Sequence, residues 1–567
     1  MSEDNKRKTL PELLAPCGSP EALDAAIYAG ADAVYLGTKI LNARMNARNF
    51  NRESVALAIE KAHANGVRVY VTMNTLVYDR TMNEAMDEAA YLSQVGADAL
   101  IVADLGFAAN LVKYLPDLPI HASTQVSGHN LAAARYLRDS GFSRMVCARE
   151  LSRENVKYLV DRSPIPIEMF IHGAMCVSAS GQCLFSSMVG GRSGNRGECA
   201  QPCRMAYNGD KYPLSLKDMC LAGHIEEIID IGPASLKIEG RMKSPEYVYA
   251  VTQVYRRLLD ERRDATEKEI KYLEAVFSRG GFTDGYYISD MRAMNGVRSE
   301  ADKQATERLK ISIKPEKRDI GSIEKAERRA LSMPDFGAKR AKIEFTPVRS
   351  ARWYKPEIMQ PDFFGINYIP LEAFDKYSAN GVILPPVITD SETEETERRL
   401  IAAYEKGARH ALVGNVGHIA LAKKCGYILH GDYRLNIYSC AAADRYADFA
   451  DVMLSPELIL AQMRDVSAKK SVIVYGRIPL MTLEKPCAAR KLTDRTRAAF
   501  PIIKESGRDI VLNSLPTYMG DQKSKLRSAG VFSEHFIFTA EIAEEAKNII
   551  QSYKKGLPLA GAVRRIK

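Results

Sequence analysis

A chain of 567 residues is too long for one ordinary hydrophobic core and should divide into two or more domains. With 46% hydrophobic and 26% charged residues, no apolar run near the roughly 20 residues of a membrane span and no signal peptide in MSEDNKRKTL, it is expected in the cytoplasm without a membrane partner. A formal net charge of +9 permits a polyanionic partner without requiring one, and ten cysteines in this length exclude a disulfide scaffold.

In chain order, short apolar runs recur after a helix-ending Gly or a Pro, each followed by an amphipathic stretch. They are ELLAP at 12, GADAVYLG at 30, VRVYVTMNT at 67, GADALIVAD at 96, LPIHASTQ at 118, GFSRMVCARE at 141, IPIEMFIHG at 165 and ASLKIEGR at 234. Strands of this length alternating with helices indicate parallel βαβ units, and eight of them close a (β/α)8 barrel; a doubly wound open sheet is the rival. About sixty residues lie between the seventh and eighth runs, an insertion after strand 7. In such barrels the ends of the strands form the active face. That selects Pro16, Gly37, Asn74, Asp104, Gln125, Arg149, Glu150, His172, Glu239 and Arg241, although each could equally cap a helix or bond neighbouring backbone. Of these, His172 and Glu239 are the candidates for proton transfer, and Arg149 and Arg241 for holding a phosphate or carboxylate.

The insertion crowds four cysteines into IHGAMCVSASGQCLFSSMVGGRSGNRGECAQPC with the spacing C-x6-C-x15-C-x3-C: Cys176, Cys183, Cys199 and Cys203. Four thiolates complete the ligand set of a structural zinc or of an iron–sulfur cluster. Only the last pair has zinc-knuckle spacing, so the cluster is favoured. The other six cysteines are scattered and read as small buried hydrophobes.

Residues 291–343 form a charged connector. Its stretch from 301 to 343 holds twelve Lys and Arg against seven Asp and Glu, the composition of a solvated linker, with a phosphate-contacting strap as the functional alternative. From 344 to 567 the chain reads as a degenerate copy of the first half. ADALIVADLGFAANLVKYLPDLPIHASTQVSGHNLAAARY from 97 and ARHALVGNVGHIALAKKCGYILHGDYRLNIYSCAAADRY from 408 share an order of strand, Gly turn, helix and strand, and IPIEMFIHGAMC recurs in outline as SVIVYGRIPLMTLEKPC. With one matching thiol, Cys487, the copy cannot hold a four-thiolate group, which leaves it substrate binding or barrel-to-barrel packing. Because all eight strands and all four candidate ligands precede residue 300, a fragment ending there is expected to fold and hold the metal alone.

The segments EMFIHGAMCVSASGQCLFSS, GRSGNRGECAQPCR, SLKIEGRMKSPEYV, ELLAPCGSPEALDAAIYAGADAVYLG, HASTQ and FSRGGFTDGYY closely resemble the signature segments of the collagenase-like peptidases of family U32, over about residues 10 to 290. The resemblance implies oxygen-independent hydroxylation: members of the family act on a pyrimidine of large-subunit ribosomal RNA, on the wobble uridine of transfer RNA, or on ubiquinone precursors. It further implies a 4Fe-4S cluster on Cys176, Cys183, Cys199 and Cys203 and, in the RNA branches, a prephenate-derived metabolite as co-substrate; the electron donor stays open. GRSGNRG looks more like the ribosomal RNA branch. Peptidase activity, which the family name implies, is the alternative, but the sequence has no HExxH and no G-x-S-x-G, so hydrolysis would need a pairing such as Cys176 with His172. A non-catalytic RNA-binding protein is a third reading. The quinone branch fits least, since those members resemble short single-barrel chains acting in pairs.

Overall fold

The computed structural model describes residues 9–45, 47–316, 318, 320–337 and 347–567. All eight apolar runs are strands: β1 (Glu12–Pro16), β2 (Ala33–Gly37), β3 (Arg68–Met73), β4 (Ala99–Val102), β5 (Ile120–Ala122), β6 (Arg144–Val146), β7 (Ile167–Gly173) and, after an excursion carrying β8 (Ser178–Cys183) and β9 (Asp218–Cys220), β10 (Ser235–Ile238). Each pairs in parallel with the next, and β10 pairs with both β7 and β1, so the sheet closes into a barrel. A short β11 (Phe282–Thr283) extends it beside β9. The helices begin where the sequence supplies a cap: the side chains of Ser19, Asn51, Asp104, Asn130, Ser152 and Ser244 each accept a bond from an otherwise orphan backbone N–H.

The barrel interior below the mouth sets a buried ionic network beside an apolar cluster of Leu14, Ala33, Tyr35, Tyr70, Ala99 and Ile101. Lys237 Nζ lies 2.8 Å from Glu168, Arg144 bridges Glu168 and Glu12, and Tyr70 donates to Glu12 at 2.6 Å. Burial alone would raise the Glu168 carboxyl, but Lys237 and Arg144 outweigh it and hold the group down at about 2. Lys237 is thereby pinned upright beneath the mouth.

The second half closes as a complete eight-stranded parallel barrel of β12 (Val348–Trp353), β13 (Ile366–Pro370), β14 (Gly381–Ile383), β15 (His410–Val413), β16 (Ile428–Gly431), β17 (Asp451–Met453), β18 (Lys470–Gly476) and, after β19 (Pro479–Leu483), β20 (Lys491–Thr493), β21 (Ala499–Glu505), β22 (Arg508–Leu512) and β23 (Thr517–Tyr518), β24 (Ser533–Phe538). The duplication extends to an irregularity. In each barrel strand 7 carries one extra residue against strand 8, at Phe170–His172 and at Ile473–Tyr475, and then a glycine with positive φ, Gly173 at 103° and Gly476 at 122°. The two copies also meet through equivalent parts. Helix Leu105–Tyr114 packs on helix Cys440–Asp444, while helix Leu131–Asp139 packs on the turn Val416–His418. Gly106 and Gly417, matched in the two copies, permit this approach, because a Cβ on either would strike the facing helix start.

The insertions after strand 7 of both barrels join one sheet in the order β20-β21-β22-β19-β8, with β8 antiparallel to β19. This departs from the expectation of a self-sufficient first half: β8, which carries Cys183, has its strand partner in the second. The connector departs from a solvated linker. Its described part runs as a belt under the first barrel, with Arg318 on Asp32, Arg329 on Asp117, Ile323 N–H on His63 O and Leu331 N–H on Tyr114 O. Its residues 338–343 lie outside the described residues. Among the described residues no helix is long and apolar enough to cross a membrane.

Candidate functional site

A cavity of about 360 Å3 opens at the C-terminal ends of the first barrel's strands, roofed by the cysteine insertion. All four cysteines, Cys176, Cys183, Cys199 and Cys203, line it. They arrive from different pieces of backbone: Cys176 just past β7, Cys183 at the end of β8, Cys199 and Cys203 from the loop that returns across the mouth. Cys176 is exposed and the other three are half-buried. Burial pushes the Cys183 thiol well up and Cys203 up to about 12, and charge on Cys176 adds to both, so the thiols sense one another. Among the described residues no three His, Cys, Asp or Glu side chains converge closely enough to hold a single metal ion.

The opposite wall is cationic. Lys237, Glu239, Arg241 and Lys243 alternate along β10 and the turn after it, and all four line the cavity. Glu239 approaches Arg149 at 3.2 Å and Arg44 at 3.5 Å. Burial would raise its carboxyl, but Arg44, Arg149 and Arg241 prevail and hold it below the usual carboxylate range. Glu239 is therefore an ionised counter-charge rather than a proton donor. Arg149 lies with its guanidinium carbon 4.1 Å from the centre of the Phe170 ring. Arg241 donates from Nη1 to Thr72 at 2.6 Å and to Asn42 at 3.2 Å, and chiefly burial lowers it to about 10. The approach requires glycine at Gly37, where a Cβ would stand 2.7 Å from Arg241 Nη1. Burial also brings the Lys243 amine, beside Asp218, Arg279 and Arg298, down to about 7, so this group can take or give a proton near neutrality.

Of the residues predicted for the face, Asn74, Gln125, Arg149, Glu239 and Arg241 line the cavity. His172 does not. The extra residue in β7 turns it away from Phe170's side of the sheet and into an aromatic cluster of Tyr247, Tyr255 and Phe282, where burial depresses it to about 3. Its assignment as a proton-transfer group is corrected accordingly, and no histidine lines the cavity among the described residues. Glu150 and Asp104 are structural: Glu150 binds His129 and the backbone and hydroxyl of Ser180, and Asp104 accepts from Val77 and Phe107 N–H. Arg44, Lys237, Lys243, Arg204 and Arg279 line the cavity without having been singled out. The alternation K-x-E-x-R-x-K in KIEGRMK was the available signal for Lys237 and Lys243; Arg44 follows β2 in a loop with no such pattern.

In the second barrel the corresponding mouth is filled. Asp432 and Arg434 stand where the first barrel has Ser123 and Gln125. Arg352 meets Asp432 at 2.6 Å, Arg434 bridges Asp432 at 3.0 Å and Glu505 at 2.9 Å, and Tyr354 closes on Glu505. Glu505 comes from the copy's own insertion. The frame of the copy is intact; its mouth is what has been lost.

The family model described as peptidase family U32 matches residues 18–295. An uncharacterized protease of Methanocaldococcus jannaschii is 36% identical over 53% of this chain and 79% of its own length. The 23S rRNA 5-hydroxycytidine synthase of Escherichia coli is 39% identical, over 44% of this chain and 39% of its own. A tRNA hydroxylation protein of Bacillus subtilis is 38% identical, over 44% of this chain and 63% of its own. The chain thus spans less than two thirds of the length of these last two relatives.

Proposed function

The chain belongs to peptidase family U32, and from that membership and the cavity we propose that it is an RNA-modifying enzyme that hydroxylates a pyrimidine, in large-subunit ribosomal RNA, without molecular oxygen and with a 4Fe-4S cluster. The observation that carries this reading is the single cavity whose one wall is four thiols and whose other is an excess of fixed cations. The Escherichia coli and Bacillus subtilis relatives named above carry RNA in their names, ribosomal in one and transfer in the other.

The donor set suits the cluster. Cys176, Cys183, Cys199 and Cys203 would hold it; they form an all-sulfur set lining one cavity, where Arg149 and Arg204 partly offset the burial that raises Cys176 and Cys203. When bound, such a cluster supplies electron transfer. The remaining work belongs to side chains already in place. Ionised Glu239 fixes Arg44 and Arg149, so their guanidinium groups face the cavity pre-oriented for a phosphate or carboxylate. Arg241, bonded to neutral partners only, keeps its charge available for the same task, which includes the carboxylate of a prephenate-derived co-substrate. Lys243, its amine lowered by burial and packed over the Phe277 ring at the edge of the cavity, is the candidate for moving a proton. A pyrimidine reaches such an enclosed site only when taken out of its stack. The peptidase alternative loses its nucleophile–base pair, because His172 and Cys176 face different compartments.

The test is mass spectrometry of ribosomal and transfer RNA nucleosides from cells with and without the gene. A ribosomal pyrimidine lacking the mass of one oxygen atom in the deletion strain is expected. The same loss at the transfer RNA wobble uridine would move the substrate, and unchanged nucleosides in both pools would overturn the reading.

A further inference from the structure

A second cavity, of about 250 Å3, lies on the other side of the cysteine loop, at the seam between the two barrels. Tyr78, Arg80 and Arg196 line it from the first barrel, and Tyr438, Gln462 and Asp465 from the second. We propose that this cavity is a stacking site for an unpaired base of the RNA strand, adjacent to the nucleotide held in the main cavity; the proposal rests on the RNA reading above and adds a second subsite to it.

The geometry is that of a planar shelf. The Arg196 guanidinium carbon sits 4.5 Å from the centre of the Tyr78 ring, and its Nη1 donates to the Tyr78 hydroxyl at 3.1 Å. Tyr438 backs the assembly with its ring 5.3 Å from that of Tyr78. A guanidinium held over an aromatic ring, and itself exposed, offers its outer face to another π-system, as bases stack on Arg planes and aromatic rings in single-stranded RNA recognition. Of its five N–H donors the bond to Tyr78 uses one. The acids of the cavity are already engaged: Asp79 accepts the Cys440 N–H, and Asp465 takes Arg80 at 2.6 Å. The lining thus carries Arg80 and Arg196 against Asp79 and Asp465, so recognition here rests on the planar faces of Tyr78 and Arg196 and on the donors of Arg196 rather than on net charge.

Placement links the two cavities. In the turn Gly194–Arg196, Gly194 and Asn195 line the main cavity while Arg196 lines the second. The turn is held from both barrels, Asn195 donating to Glu457 at 2.9 Å and accepting from Leu76 N–H at 3.3 Å. Consecutive residues of one rigid turn therefore face consecutive positions of a strand crossing it. The second barrel, whose own mouth is closed, contributes here as one wall of the shelf.

The experiment compares binding of a short fluorescein-labelled single-stranded RNA and of inorganic polyphosphate to the full-length protein. Tyr78→Leu keeps apolar bulk and Arg196→Lys keeps charge, but each removes a planar face. Both should weaken RNA binding about 5- to 150-fold and leave polyphosphate binding unchanged, while Tyr78→Phe stays close to wild type. If Tyr78→Leu does not fold, Arg196→Lys carries the test. RNA binding at wild-type strength in a folded variant, or an equal loss for RNA and polyphosphate, would overturn the shelf alone. A wild-type protein that binds an acidic peptide but no RNA would overturn the RNA reading and the shelf with it.

Discussion

Glu239→Gln should lower the stability of the protein by about 1 to 3 kcal/mol, because it leaves Arg149 and Arg44, whose side chains are 14% and 32% exposed at the cavity mouth, without their counter-charge. The companion change Arg241→Met should behave in the opposite way. Arg241 is 4% exposed and its hydrogen-bond partners, Thr72 and Asn42, are neutral, so removing its charge relieves a desolvation cost rather than breaking an ion pair. Its melting temperature should hold or rise, while product formation falls about 10- to 150-fold through loss of one charge-assisted contact to the substrate. Thermal melting and nucleoside analysis on both variants separate the roles. A Glu239→Gln protein as stable as wild type would show that the arginines are not strained by their crowding, and an Arg241→Met protein with full activity would remove that residue from substrate binding.

Cys183→Ser should abolish hydroxylation while the protein still binds RNA. The side chain ends β8, where the backbone is paired to Met481 of the second half, so a near-isosteric change leaves the strand in place. What it removes is one of four thiolates, and serine oxygen is a poor ligand for iron beside sulfur. Iron should fall with activity, and RNA affinity should not. Retained hydroxylation in a Cys183→Ser protein would place the chemistry elsewhere, and joint loss of iron, RNA binding and solubility would make the thiols architectural.

The first barrel was legible because each strand announces itself twice, by an apolar run and by the Gly or Pro before it, as at GADAVYLG and GADALIVAD. The thiols were legible because four cysteines stood in a loop with few apolar neighbours. Other features depend on partners distant in sequence. Nothing in IPIEMFIHG reveals the extra residue that turns His172 outward, since strict alternation would place it beside Glu168 and Phe170. The connector reads as solvated because its acids lie elsewhere, at Asp32 and Asp117 on the barrel it crosses. The dependence of β8 on β19 was hidden for the same reason: β8 has its partner some three hundred residues on. In the second half the duplicated order of elements was visible, whereas the closing of its mouth follows from two substitutions, Asp432 and Arg434, meaningful only once Arg352 and Glu505 are seen to meet them.

The claim on which the rest depends is that the four thiols of the cavity wall hold one cluster. Quantifying iron and acid-labile sulfide in protein purified strictly without oxygen tests it most directly. The account predicts brown protein with about four iron and four sulfide per chain; colourless protein with one zinc per chain and no sulfide would contradict it.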